Sequence, residues 1–80
     1  MPMYSVKTEK DTERVISQAK DHFHAGLGLS VTAEDRCCIR FEGGGGHVEV
    51  SVVEGDGPDA EVIVETREWD YHAKQFLKQV

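Results

Sequence analysis

Four consecutive glycines at residues 43–46, followed by His47, are the first candidates for chemistry in this chain. A glycine-rich loop cradles phosphate when it lies between a strand and a helix and carries a Lys-Ser/Thr pair. Here a strand-like segment follows the glycines and neither residue type is in place, so the pattern favours a hairpin turn. Two glycines would be enough for such a turn. The excess leaves open the close approach of a ligand or of another backbone near Gly44, Gly45 and His47.

Histidine and cysteine side chains are the next candidates, because they ligate metals. His22 and His24 lie two residues apart on a predicted helix, so their rings point about 200° apart, and no Cys-x-x-Cys pair is present. Cys37 and Cys38 are neighbours on a predicted strand, where adjacent side chains point to opposite faces. We therefore expect two free thiols, Cys37 inward and Cys38 outward, and neither metal nor cofactor. Free thiols are typical of a reducing compartment.

Charged residues on the outward side of the predicted strands are the third candidates. Pairing of those strands sets Arg40 opposite Glu49 and Glu49 opposite Glu65. On the same side, His47 lies near Arg67. This arrangement is typical of cross-strand charge matching, in which one arginine relieves the repulsion of two glutamates.

Val53 and Ile63 also point outward in this register, so the outward face contains apolar as well as polar residues, and a partner could cover it. Charge matching and recognition therefore remain alternative interpretations of the same surface. The candidate contact residues are those of the outward face and of the glycine turn: Arg40, Gly44, Gly45, His47, Glu49, Val53, Ile63, Glu65 and Arg67.

A hairpin over residues 36–54 must position these side chains. Folding the chain at residues 43–46 pairs apolar residues on one face: Phe41 with Val48, Ile39 with Val50 and Cys37 with Val52. A second turn at residues 54–59, rich in glycine and containing Pro58, leads into a third strand over residues 60–67. That strand sets Val62 opposite Val52 and Val64 opposite Val50, which continues the inner face.

Two helices supply the other layer. Spacing of Val15, Ile16, Ala19 and Phe23 predicts a helix from Glu9 to Ala25, capped by Thr8 with Asp11 as its capping-box partner and stopped by Gly26. The stripe of Trp69, Ala73, Phe76, Leu77 and Val80 predicts a closing helix from about Asp70. Residues 3–7 form an optional strand, and residues 27–32 an extended connector.

These elements predict one α+β domain spanning residues 1–80. It is a two-layer domain with an antiparallel meander of three to four strands and two helices on one face, in the order (β)-α-β-β-β-α. The predicted edge strand is residues 36–42.

Composition limits the function. The chain has 80 residues and a net charge of −6, and this acidic balance argues against nucleic acid as a partner. No apolar run is long enough to cross a bilayer. The first seven residues lack an apolar export segment, so we expect a cytoplasmic protein.

The leading hypothesis is a small soluble, non-catalytic binding or protein-interaction module. It would use the outward sheet face or the edge strand, and it would act with a protein partner or as a homodimer. No nucleophile–base pair is apparent, which favours the absence of catalysis. The alternative is a small-ligand or enzymatic site near residues 43–46 and His47.

Overall fold

The computed structural model of this protein describes residues 3–55 and 57–80, and this part of the chain forms five strands and two helical regions. In chain order they are β1 (Met3–Thr8), α1 (Thr12–Ala19) continued by a π-helical segment (Lys20–Gly26), β2 (Ser30–Glu34), β3 (Cys38–Gly43), β4 (Gly46–Glu54), β5 (Ala60–Arg67) and α2 (Asp70–Gln79). The predicted α+β class is confirmed. The sheet has five strands instead of three to four.

All five strands form one antiparallel sheet in the order β1-β5-β4-β3-β2. Strands β2 to β5 form a meander, and β1 pairs with β5, so the optional first strand is present. The predicted register is confirmed, since Ile39 pairs with Val50 and Val50 pairs with Val64. Alternation of apolar and polar residues on the three central strands fixed this register.

The connector that precedes the hairpin is itself a strand. Ser30–Glu34 pairs with β3, with a bulge between Val31 and Ala33. The prediction that residues 36–42 form an edge strand was therefore wrong: β3 lies inside the sheet, and β1 and β2 are its edges. All five residues of β2 are exposed, so this strand lacks the alternation of burial by which a strand is recognised in a sequence.

The first helix begins later than predicted. Asp11 is its N-cap and accepts a hydrogen bond from the Arg14 amide at 2.8 Å. Thr8 is the last residue of β1, and its hydroxyl accepts from the Lys10 amide at 3.2 Å. The predicted cap at Thr8 was therefore wrong. The predicted end is confirmed, because the π-helical segment stops at Gly26.

One hydrophobic core lies between the sheet and the helices. Its centre is an aromatic cluster in which the ring of Phe23 lies 5.3 Å from the rings of both Phe41 and Phe76, all three fully buried. These residues come from the π-helical segment, β3 and α2, so both helical regions pack on one face of the sheet. Neither helix in the described ranges has the length and apolar character needed to cross a membrane.

Candidate functional site

We call the side of the sheet that faces away from the helices the outer face. It consists of the residues of β1, β3, β4 and β5 that alternate with the buried ones. The structure brings seven of the nine predicted contact residues together there: Arg40, His47, Glu49, Val53, Ile63, Glu65 and Arg67. The other two, Gly44 and Gly45, form the turn at one end of this face.

Arg40 is the centre of the charge ladder on the outer face. Its Nη1 atom lies 3.3 Å from Glu49 Oε2, as predicted, and its Nε atom lies 3.3 Å from Glu42 Oε2. The Thr32 hydroxyl and the Arg40 guanidinium together lower the pKa of Glu42. Hydrogen bonding to Glu42 in turn raises the pKa of Arg40. These groups are exposed to water, so solvent screening leaves each pair little effect on stability.

His47 is much less exposed than a solvated histidine. Its relative exposure is 9%, although it lies on the outer face opposite Arg67. Its Nε2 atom is buried and has no hydrogen-bond partner among the described residues, and Glu65 Oε1 is 3.8 Å away. We interpret the burial as cover from long side chains on the neighbouring strands, which sequence spacing alone does not show.

Apolar side chains on the outer face are open to solvent. Val53 is 52% exposed and Met3 is 60% exposed, while Ile63 is half-buried. Ile63 pairs with Ser51 on one side and Ser5 on the other. A row of small and apolar residues therefore crosses the middle of the face, beside the charged row that contains Arg40 and Glu49.

The glycine run forms a two-residue hairpin turn. Gly43 pairs with Gly46, and the two central glycines have φ angles of 59° at Gly44 and 81° at Gly45. Positive φ at both central positions matches the right-handed twist of the flanking strands. The predicted hairpin turn is confirmed.

The other two glycines of the run are explained by close packing. A Cβ atom on Gly46 would meet the Arg67 carbonyl oxygen and lie 2.8 Å from Glu68 Cβ, and one on Gly43 would lie 2.6 Å from Leu29 Cδ2. In addition, Trp69 Nε1 donates to the Gly43 carbonyl at 3.0 Å. Another part of the backbone, together with Trp69 and Leu29, thus occupies the space beside the turn.

The turn between β2 and β3 contains reactive groups that sequence reasoning missed. The Sγ atoms of Cys37 and Cys38 are joined in a disulfide, so the prediction of two free thiols was wrong. Cys37 lies in the turn and not on β3, which begins at Cys38, so strand alternation does not separate the two side chains. Asp35 Oδ1 accepts from the Cys37 amide at 3.0 Å. An Asp two residues before Cys37 is the sequence signal for such a turn.

No protein-family model matches this sequence, and no curated protein matches it with significant similarity. The molecule has two candidate functional surfaces: the outer face, where seven of the predicted residues meet, and the turn at Asp35, Cys37 and Cys38.

Proposed function

We propose that this chain is a non-catalytic protein-interaction domain whose outer face binds a second copy of the same chain. The observation that carries the proposal is the one-sided arrangement of the fold. Both helical regions pack on the inner face, and no described element covers the outer face. An antiparallel sheet can expose one face to water. This sheet also exposes the apolar side chains of Val53 and Met3, which favours burial of the outer face by a binding partner.

The charge of the outer face supports a second copy of the chain as its binding partner. Within the described ranges the outer face carries three cations, Lys7, Arg40 and Arg67, and four acids, Glu42, Glu49, Glu61 and Glu65. Its net charge is −1, whereas the whole chain carries −6. Two identical copies can therefore meet through their outer faces with little net repulsion, and cations of one copy can face acids of the other.

The available area indicates a weak dimer. The four strands of the outer face, at a spacing of about 4.8 Å and a length of about seven to eight residues, give a face of roughly 450–550 Å² per copy. The total buried area would be about 900–1,100 Å², the size of weak or transient interfaces. We expect a dissociation constant in the micromolar range, about −8 kcal/mol.

The edge strand β2 offers a less favourable surface. The exposed edge at β2 is interrupted by the bulge between Val31 and Ala33, and such bulges oppose the addition of another strand. The outer face, which is continuous over four strands, is the surface that we assign to association.

A small-ligand site near the glycine turn is the second candidate. It is supported by an open cleft of about 370 Å³ lined by Arg40, Glu42, His47, Arg67 and three of the glycines. Its weakness is that the glycines are explained by packing, and that Arg40 already contacts two glutamates. Such a site would select a small anion, with Arg67 as its main contact.

Sedimentation over a concentration series from about 1 to 100 µM tests the proposal, because this range brackets a micromolar dissociation constant. We expect a monomer at low concentration and a dimer at high concentration. Replacing Val53→Lys and Ile63→Lys together should preserve the circular dichroism spectrum and shift the protein to monomer, because the new charges would be buried without partners.

The matched control is Tyr71→Lys, which places the same charge on another exposed apolar residue, 67% exposed on α2. This variant should still dimerise. A monomer for the unmodified protein at the highest concentration would contradict self-association. If Arg67→Ala then abolished a thermal shift caused by small anions, the second candidate would replace the first.

A further inference from the structure

The turn between β2 and β3 holds a set of metal-ligand atoms that the outer face does not use. A carboxylate oxygen of Asp35 and the Sγ atoms of Cys37 and Cys38 all lie within 4.8 Å of one another. Asp35 and Cys37 are exposed and Cys38 is half-buried, so an ion can reach all three. Two thiolates and one carboxylate form a donor set that Zn²⁺ accepts.

We propose that the reduced Cys37 and Cys38, together with Asp35, bind a thiophilic divalent cation such as Zn²⁺. The disulfide is then the oxidised form of the site, which cannot take the ion. This proposal is independent of self-association through the outer face, because the site belongs to a single chain.

Conversion between the two forms requires a thiol reductant. A dithiol reductant transfers two electrons and two protons to the Cys37–Cys38 disulfide, which becomes two thiols while the reductant becomes a disulfide. Binding of the divalent cation then releases both protons as the thiols become metal-bound thiolates. An excess of the reductant therefore holds the pair in the dithiol form that binds the ion.

The backbone of the turn preorganises the ligands. Because Cys37 precedes β3, its side chain lies on the same side as that of Cys38 and not on the opposite face. Two thiolates on one tetrahedral zinc ion lie about 3.8 Å apart, a separation that two neighbouring side chains reach by rotation about χ1. The hydrogen bond from the Cys37 amide holds the Asp35 carboxylate 3.4 Å from Cys37 Sγ.

The surroundings of Cys37 favour a cation. The side chain borders an open cleft of about 680 Å³ that is also lined by Asp11, Glu13, Glu54 and Arg36. Three acids against one base give this cleft a negative potential, which attracts a divalent ion. A water molecule can complete a fourth coordination position.

Titration of the reduced, metal-free 80-residue chain with Cd²⁺ tests the site, because thiolate–Cd²⁺ charge transfer gives an ultraviolet absorption band. We expect one equivalent of Cd²⁺ per chain, displacement by Zn²⁺, and no such band for the oxidised protein. Cys37→Ser and Cys38→Ser should each reduce the band strongly. Asp35→Asn should keep the band and weaken the affinity by about tenfold or more.

Asp59→Asn is the matched control, because it removes the same charge from an exposed residue of another turn. It should leave the affinity within about twofold, a difference of about 0.4 kcal/mol. Absence of a band in the reduced protein, or a band that survives both cysteine substitutions, would overturn the site. Equal weakening by Asp59→Asn and Asp35→Asn would remove Asp35 as a ligand. Half an equivalent of Cd²⁺ would place the ion between two copies and overturn a single-chain site.

Discussion

The two turns that flank β3 differ in how far other parts of the protein cover them. The β3–β4 turn is covered: the indole of Trp69 lies against Gly44 and donates to the Gly43 carbonyl, and the backbone at Arg67 lies against Gly46. The β2–β3 turn is open, and its Asp35 and Cys37 side chains are exposed. One turn consists of residues without side chains, and the other consists of residues with reactive ones.

The residues that the backbone conformation requires and the residues that carry reactive side chains therefore lie in different turns. A run of glycines suggests a binding site because it permits the close approach of a ligand. In this chain the groups that approach the glycines are Trp69, Leu29 and the backbone at Arg67. The reactive atoms lie at the turn whose sequence carries no glycine. Packing within the protein is enough to explain the glycines at Gly43 and Gly46.

The largest expected effect is at the covered turn. Gly46→Ala should lower the free energy of unfolding by about 3 kcal/mol or more, because its methyl group would collide with backbone atoms that cannot rotate away. Urea denaturation followed by circular dichroism measures this. Gly45→Ala is the control, since Gly45 has a positive φ but open space around it. It should cost only about 1 kcal/mol, and equal losses at both positions would contradict the packing explanation.

A smaller effect is expected for the residue that covers the turn. Trp69→Phe keeps an aromatic ring but removes the hydrogen bond to the Gly43 carbonyl, which should cost about 1–2 kcal/mol. Thermal and urea unfolding both report it. Tyr71→Phe removes a polar group from an exposed aromatic residue of the neighbouring helix and should change stability by less than about 0.5 kcal/mol. A Trp69→Phe variant as stable as the original protein would show that the indole hydrogen bond contributes nothing.

The smallest effect is expected at the open turn. Asp35→Ala removes a single side-chain acceptor that is exposed to water, so it should cost about 0.5–1 kcal/mol. Denaturation of the oxidised protein checks this without any metal. A loss above about 2 kcal/mol would mean that Asp35 organises the fold, and the contrast between the two turns would then fail.

Much of the sheet was predictable because its register follows from side chains that alternate. Ile39, Val50 and Val64 are fully or almost fully buried and pair as expected. Ser30–Glu34 was missed because every residue of this strand is exposed, and its pairing depends on β3 and not on its own pattern. The start of α1 was three residues early because both Thr8 and Asp11 are good capping residues.

The candidate site was predicted less completely for related reasons. Cross-strand pairs such as Arg40 with Glu49 follow directly from register, so they were found. The burial of His47, which we interpret as cover from side chains of adjacent strands, cannot be predicted from spacing. The bond between Cys37 and Cys38 depends on the residue at which β3 begins, and element boundaries are the least certain part of a sequence-based prediction.

The position of β1 at the edge of the sheet has a consequence for the order in which the protein folds. Met3 pairs with Glu65 across roughly sixty residues, while Phe41 pairs with Val48 across a tight hairpin; loop-closure entropy alone makes the first pairing about 2 kcal/mol more costly. The meander of β2 to β5 can assemble from local hairpins before this pairing forms. We therefore expect β1 to be the last of the five strands to pair during folding, because its partner β5 lies at the far end of the meander in sequence.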